Sequence, residues 1–482
     1  MQKTCDICRR KAAELFDRVT ENGRTVEYAY CQACYTSLLK DGKSPSEEAK
    51  KRIARIGKEC DVCGYTQEKF KQTFLFGCPE CYEQMRDIAI DSALKAQGMT
   101  YADLQNPRPA FCQGGMDMHS TLFCQKESRC GDFERHKILK SANECTLEEL
   151  VKNNVVSSRI RLARNVRGME FPRNRKTVDE KDVNLINGAY AAAVGLINAR
   201  LSPMQRLTKD EKKALIERHI ISLSLANNDA GAVIVEGDKR YGGLSVMLNE
   251  EDHIREQCVV DGFDLHGAYE KIKAYDDRLL ATLPVAYDRQ LGFLTACPTN
   301  LGTGMRASVM LFLPALKRAG AIEDALKTFK SEFGLTVRGV FGEGSDAMYD
   351  MYQISNSRTL GVGEEEIIEQ VEQAAVRMCY LERVALEKLA KEQQTSLLDG
   401  ISKSYAVLKG AYALTAQDLM KLLVDVKMGV ILGVLPIKST QKLDETIWSC
   451  TSSALKIVAG ESSEERDKTR ARIVREILSE TT

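Results

Sequence analysis

The sequence predicts an α+β protein with a helical C-terminal region, preceded by small cysteine-rich metal-binding units. Three observations carry that reading. Four C-x-x-C pairs crowd the first 81 residues, segments with strand-like alternation fill the middle of the chain, and stretches with apolar spacings of three and four follow them.

The cysteine-rich part comes first, over residues 1–97. Cys5, Cys8, Cys31 and Cys34 form one C-x2-C…C-x2-C set, and Cys60, Cys63, Cys78 and Cys81 form another with a shorter insert. Each pair places two thiolates on one turn, and two turns close a tetrahedron around a structural Zn2+, which supplies folding energy that so small a core lacks. Redox dithiols are the competing reading. Residues 98–149, with Pro107, Pro109, Gly114 and Gly115, read as a linker. Its Cys112, Cys124, Cys130 and Cys145 have irregular spacing and read as loop cysteines; with His119 and His136 they form an alternative third metal site.

Residues 150–395 form the α+β unit. Gly231 to Leu248 reads as two strands around a polar turn, with Leu244, Val246 and Leu248 on one face. Leu291 to Ala296, Ala307 to Leu313 and Leu335 to Val340 also read as strands. From Glu364 to Glu392 the apolar positions Ile367, Val371, Ala374, Met378, Leu381, Ala385 and Leu389 predict a long helix. Residues 396–482 read as a helical C-terminal region.

Composition narrows the function. Lys+Arg and Asp+Glu both number 68 in the 482 residues, so no overall basic footprint points to nucleic acid, and no nucleic-acid partner is expected. The start has no apolar signal region. The longest apolar run, Met428 to Ile437, is half of the roughly 20 residues a membrane span needs. Cysteines grouped for metal imply a reducing compartment, so a cytoplasmic protein without membrane partners is expected.

Four segments of the middle region carry chemistry. In SSRIRLARN, from Ser157 to Asn165, Arg159 and Arg161 share one face of a strand, and two adjacent cations call for an anion such as triphosphate; a solvated basic strand is the plain alternative. NEEDHIR, from Asn249 to Arg255, offers three consecutive carboxylates and a cation, or else a polar loop. In CPTNLGTGMR, from Cys297 to Arg306, Gly302 and Gly304 allow close backbone approach, either for phosphate or for a tight strand-to-strand turn. RGVFGE sets Arg338 and Glu343 at its two ends.

In this order, with YQISN at Tyr352 to Asn356, these segments resemble the ATP:guanidino phosphotransferase (phosphagen kinase) family over most of Val151 to Gly361. The resemblance implies an antiparallel sheet flanked by helices, with ATP and Mg2+ as cofactors. It places Ser157, Ser158, Arg159, Ile160, Arg161, Arg255, Arg306, Ala307, Ser308, Val309, Met310, Arg338, Gly339, Val340, Phe341, Gly342 and Glu343 at the nucleotide. His219 in ERHIISLSLA matches a histidine near the base in protein-arginine kinases, a buried structural histidine being the alternative. Glu251 and Glu343 would grip the acceptor guanidinium, with Cys297 beside it. A guanidinium is a poor nucleophile at its pKa of ~12.5–13.8, so carboxylates that align it and accept its proton make chemical sense. Cys297 as a thiolate would need positive charge nearby, from the guanidinium or Arg306.

Two further resemblances point to a protein substrate. Cys60 to Tyr82 is similar to the zinc domain of McsA-type activators of protein-arginine kinases. Near the C-terminus, Ser462-x-x-Glu465 predicts a capping box, and RDKTRA follows. Arg466 and Arg470 stack on one helix face, where like charges repel unless an anion binds. The segment resembles the RDxxRA motif of McsB-type kinases, which implies a phosphoarginine-sensing pocket of Arg466, Asp467, Arg470 and Ala471; an ordinary charged helix fits the six residues as well. Kinases for free guanidino compounds carry an all-helical N-terminal domain, and the zinc-type segment stands in its place here. The expected activity is therefore phosphorylation of arginine side chains of proteins. A kinase for free arginine or another small guanidino compound, and a non-catalytic zinc scaffold, are the alternatives. The family implies a stress-response repressor, an AAA+ protease and a homodimer as partners.

Overall fold

The computed structural model describes residues 3, 5–7, 11–21, 24–55, 59–105, 145–172, 179–237, 243–339, 348–438 and 440–480. Cys8, Cys112, His119, Cys124, Cys130, His136, Val340, Phe341, Gly342 and Glu343 lie outside the described residues, as does the side chain of Arg338. Two compact units divide between Ser92 and Ala93.

In the first unit, β1 (Leu15–Glu21) and β2 (Arg24–Tyr30) form an antiparallel hairpin, with Leu15 opposite Tyr30 and Val19 opposite Val26. Helices Gln32–Lys40 and Pro45–Arg55 follow. Ile7, Tyr28, Tyr30 and Ala49 form a small core with Cys5 and Cys31. Further on, Phe76 stacks on Phe70 and meets Tyr82, each with ring centroids 4.4 Å apart. So few apolar groups bury little area, which is why a metal cross-link suits this unit.

The second unit is built on an eight-stranded antiparallel sheet. Its strands in chain order are β3 (Val155–Arg164), β4 (Ala199–Pro203), β5 (Ala232–Glu236), β6 (Gly243–Leu248) and β7 (Ile254–Asp261), then, beyond a two-residue ribbon of β8 (Tyr287–Asp288) and β9 (Gly292–Phe293), β10 (Met305–Phe312), β11 (Leu335–Gly339) and β12 (Met351–Asn356). Their spatial order is β11-β12-β10-β3-β7-β6-β5-β4, every pair antiparallel. The stretch expected as a strand over Leu291–Ala296 is only the short β9. Beyond it the Leu294 carbonyl and the Ala296 N–H bond to side chains, described below.

The pleat sorts this sheet into two chemistries. Ile160, Leu162, Val246, Cys258, Ala307, Val309 and Ile354 face a large core shared with helices Leu265–Thr282 and Glu364–Glu392. The alternate positions Arg159, Arg161, Arg255, Gln257, Arg306 and Ser308 fall on the opposite face. The antiparallel register sets Arg306 opposite Arg161 and Ser308 opposite Arg159.

Beyond helix Glu364–Glu392 the chain is all helical. Helices Gln394–Gly410, Ala416–Ile431, Gln441–Ser449, Ser452–Ala459 and Ser463–Glu480 close over a second core that includes Leu397, Ile401, Leu419, Val426, Val474 and Leu478 and reaches Phe312 and Met351 of the sheet. The expected architecture, an antiparallel sheet with flanking helices, a helical C-terminal region and small cysteine-bound units ahead of them, is the one observed. Among the described residues no helix is long and apolar enough to cross a membrane.

Candidate active site

The polar sheet face concentrates cations. Burial, and after it the charges of Arg159, Arg255 and Arg306, push the pKa of Arg161 well below the ordinary guanidinium value, so these four side chains act on one another across one patch. Arg306 is held by the Ser355 hydroxyl, which accepts from its Nε and Nη2 at 3.1 Å each, and Arg159 Nε donates to Ser308 Oγ at 3.4 Å. Beside the patch, a pocket is lined by Ser157, Arg159, His219, Ser245, Gln257, Ser308 and Met310. His219 has a left-handed backbone (φ 56°), and its carbonyl accepts from Gln257 Nε2 at 2.8 Å. Burial, assisted by Arg159, lowers its pKa to about 4, so the ring is neutral at neutral pH.

The NEED loop leads from β6 into β7. Asn249 accepts a left-handed φ of 57°, a conformation asparagine tolerates, while its side chain donates to buried Asp182 at 2.8 Å. Glu250 turns toward Arg255, Oε2 to Nη1 at 2.7 Å, and accepts from Ser222 Oγ at 2.7 Å and from the Glu251 N–H at 2.8 Å. Burial works against this carboxylate, but Arg255 and the two donors outweigh it and hold its pKa below the usual range. Arg255 is thus matched by an acid of its own loop, whereas Glu251, the residue expected at the acceptor guanidinium, is partly exposed.

Asp252 and Asn165 fix this loop to the segment ending at Cys297. Asp252 Oδ1 accepts from Asn165 Nδ2 at 2.7 Å and from the Ala296 N–H at 2.8 Å; Asn165 also donates to Leu294 O and accepts from the His253 N–H. The Leu294 carbonyl and the Ala296 N–H are therefore bound by side chains, while Leu294 N donates to the Ala286 carbonyl at 3.1 Å. Cys297 consequently stands close enough to Glu251 for that carboxylate to act on its thiol. Burial raises the Cys297 pKa, Glu251 and Asp252 add to the effect, and the Thr299 hydroxyl at 3.0 Å from Sγ opposes it. The Cys297 charge acts on Arg255.

The glycine loop is used differently from the phosphate cradle considered from sequence. At Gly302 (φ 113°) a Cβ would lie 2.1 Å from the Thr359 carbonyl oxygen, so the approach this glycine permits is of chain to chain. Thr303 N donates to Thr359 O at 2.9 Å, and Arg164 Nη1 donates to Thr303 O at 2.9 Å. Arg164 itself is buried in a two-bond pair with Asp276 (3.0 and 2.8 Å).

At the C-terminus, Glu465 N donates to Ser462 Oγ at 3.4 Å, one half of the expected capping box. The two arginines of RDKTRA part company. Arg470 is buried and donates to the carbonyls of Cys450 and Leu414 and to Asp467, while Arg466 lies near the surface and donates to the Gly460 and Glu461 carbonyls. Ala471 is fully buried in the helical core.

In the first unit, Cys60, Cys63, Cys78 and Cys81 converge, with Sγ separations of 3.7, 3.5 and 3.7 Å for the pairs 60–78, 63–81 and 78–81. A tetrahedron with Zn–S of about 2.3 Å has edges of about 3.8 Å, so four thiolates so placed fit zinc. Gly77 makes room for them: a Cβ there would meet Cys63 Sγ at 2.8 Å. Cys5, Cys31 and Cys34 also converge.

Known proteins agree with this anatomy. Residues 58–106 match the McsA central zinc-finger domain, 183–385 the ATP:guanido phosphotransferase C-terminal catalytic domain, and 394–482 the protein-arginine kinase McsB C-terminal domain. A protein-arginine kinase of Caldanaerobacter subterraneus subsp. tengcongensis is 38% identical over 331 residues, covering 67% of this chain and 96% of the relative; one of Moorella thermoacetica is 39% identical over 337 residues, covering 67% and 94%. Among solved structures, lombricine kinase (TM-score 0.52, 22% identity, 70% of this chain and 91% of that one) and the duplicated taurocyamine kinase of Schistosoma mansoni with transition-state-analogue components (TM-score 0.52, 20% identity, 75% and 49%) share the fold. With a polar sheet face crowded by arginines, a NEED loop against a cysteine, and relatives matched over nearly their whole length, this chain belongs to the protein-arginine kinase family.

Proposed function

We propose that the chain transfers the γ-phosphate of ATP to arginine side chains of proteins. The observation that carries this reading is the gathering of Arg159, Arg161, Arg255 and Arg306 on one sheet face by the strand registers, with Glu251 and Cys297 both close enough to Arg255 to act on it. Phosphoryl transfer asks mainly for positioning and for neutralisation of charge on the transferred group, and a cationic patch supplies the second. Ser157, Ser308 and Met310 line the pocket and would shape the nucleotide cleft, with neutral His219 at the base, whereas Ser158, Ile160, Ala307 and Val309, expected at the nucleotide, alternate onto the core face of the sheet and would hold these strands in place from behind. Arg338 and the segment Gly339 to Glu343 would complete it. Mg2+ would arrive with the nucleotide and neutralise part of the phosphate charge.

Glu251, with Glu343 as the second carboxylate, would hold the acceptor guanidinium in line and take its proton. Cys297 would face the same group. Its thiol, raised in pKa by burial and by Glu251 and Asp252, would become easier to ionise once a cationic guanidinium enters.

The choice of a protein acceptor rests on the relatives' names and on the matched C-terminal domain. In the same reading Arg466, Asp467, Arg470 and Ala471 sense phosphoarginine, Arg466 as the reachable cation and Arg470 as the buried brace. A stress-response repressor and an AAA+ protease as partners, and a homodimer as the assembled form, follow from the family rather than from any residue described above. The test is to offer ATP with either free arginine or an unfolded arginine-rich protein, and to read acid-labile phosphoarginine by mass spectrometry. Turnover of the free amino acid alone would overturn the reading.

A further inference from the structure

We propose that Gln97 is a positioning residue for phosphoryl transfer: its side-chain amide sets the Cys297–Leu301 loop against the Thr359–Leu360 turn and so fixes where the Cys297 thiol stands. The inference rests on the reading above that Cys297 adjoins the acceptor guanidinium.

Gln97 follows helix Arg86–Ala96 and is only 5% exposed. Its amide is fully used. Nε2 donates to Pro298 O and Leu301 O, each at 3.2 Å, and Oε1 accepts from the N–H groups of Thr359 and Leu360, each at 2.8 Å. A primary amide has two donors and two acceptor lone pairs, so one side chain satisfies four buried backbone groups of two segments that share no strand ladder here. Thr359 extends the clamp: its hydroxyl contacts Leu301 O at 2.7 Å and Thr299 O at 3.2 Å. Thr299 in turn holds the Cys297 sulfur at 3.0 Å through its own hydroxyl. From the amide to the reactive thiol there are thus two residues, each joined by hydrogen bonds. Met99 anchors the same segment: it is 8% exposed, and its Cε lies 3.3 Å from where a Cβ at Gly361 would stand.

No other side chain among the described residues donates to both Pro298 and Leu301, and neither carbonyl belongs to a strand ladder. When the amide is removed, Leu301 O keeps the Thr359 hydroxyl and Pro298 O keeps the Leu301 N–H, but the Thr359 and Leu360 N–H groups must find water or move, so the turn that holds the loop loosens. The loss reaches the thiol before it reaches the nucleotide, whose arginines sit on the sheet.

The test uses the full chain carrying Gln97→Met, which keeps shape and loses the hydrogen bonds, and Thr359→Val as a second, milder variant. Iodoacetamide labelling of Cys297, read by peptide mass spectrometry across pH without ATP or acceptor, reports the thiol's surroundings. Gln97→Met is expected to shift that profile and to lower kcat roughly tenfold, as misplacement of a reacting group does, while leaving the KM for ATP within about twofold. Thr359→Val should move both readouts the same way by less, and it carries the test should Gln97→Met not fold. An unchanged labelling profile, or a shifted one with unchanged kcat, overturns the proposal. Since labelling needs no turnover, it is read even where the unsubstituted chain makes no phosphoarginine, the outcome that would instead defeat the functional reading.

Discussion

Glu250 and Arg255 face each other at 2.7 Å, both largely buried, while the next residue along, Glu251, stays partly exposed toward Cys297. Adjacent carboxylates of one loop thus receive different surroundings. Glu250 steadies a cation of the arginine patch, while Glu251 acts on both Arg255 and the Cys297 thiol.

Glu250→Gln should therefore be a stability variant first. The substitution strips Arg255 of its 2.7 Å partner and leaves it Asp252 at 3.7 Å, so a loss of about 1.5–3 kcal/mol, the worth of a hydrogen bond to a charged group, is expected in urea unfolding. A loss under about 1 kcal/mol, the range of exposed pairs, would show that solvent already serves Arg255.

Arg161→Gln should separate stability from binding. The side chain is half-buried and feels three other arginines, so neutralising it relieves repulsion and the nucleotide-free protein should melt no lower than the unsubstituted chain. ATP binding by calorimetry should weaken roughly tenfold or more, about 1.4 kcal/mol or above. A variant that melts lower and binds ATP normally would mean that Arg161 is structural.

These two residues mark what the sequence made legible. Arg159 and Arg161, alternating along β3, announce a shared face, because the strand period alone decides it. The long helix and the cysteine tetrad are likewise local patterns. Asn165, Asp252 and Gln97 gave no such signal: they act through partners 87 residues away for Asn165 and Asp252, and 262 for Gln97 and Thr359, so only the folded chain reveals them. Asn165 closes the very motif that carries the arginines, and a polar residue ending an alternating strand was the one clue available. The glycine loop was ambiguous for a related reason, since a glycine required by phosphate and one required by a neighbouring backbone, as at Gly302, look alike in one dimension.

The second cysteine cluster should be a folding element. Cys60→Ser should release its zinc, measured by elemental analysis, and expose the first unit to proteolysis, since structural zinc contributes on the order of 10 kcal/mol to such units. Kinase activity should fall with it. Full activity after verified metal loss would make the unit dispensable for catalysis.

Glu382 should leave a signature in stability against pH. Its carboxylate accepts the Ala315 and Leu316 N–H groups at 2.7 and 2.9 Å, yet burial dominates and lifts its pKa from 4.5 to about 8. Between those values the unfolded chain has released this proton and the folded chain retains it. The stabilisation is therefore complete below the unfolded pKa and is lost as pH rises toward about 8, by about 1.4 kcal/mol per pH unit at most. Glu382→Gln should remove that slope, and urea midpoints that run parallel with pH in both proteins would contradict it.

Arg466 and Arg470 should differ sharply. Arg470→Ala strips a buried brace from two carbonyls and Asp467, and is expected to lower the melting temperature by several degrees. Arg466→Ala should leave melting unchanged and abolish any response of activity to added phosphoarginine. The same response in Arg466→Ala as in the unsubstituted chain would remove that residue from the sensing role.

The most direct test is single-turnover phosphorylation of a protein substrate by Glu251→Gln, with ATP affinity measured on the same sample. Should Glu251 align and deprotonate the acceptor while the sheet arginines hold the nucleotide, ATP affinity stays within about twofold and phosphoarginine formation slows by roughly 10²–10⁴. Undiminished phosphoarginine formation, or a loss that merely follows weakened ATP binding, would contradict it.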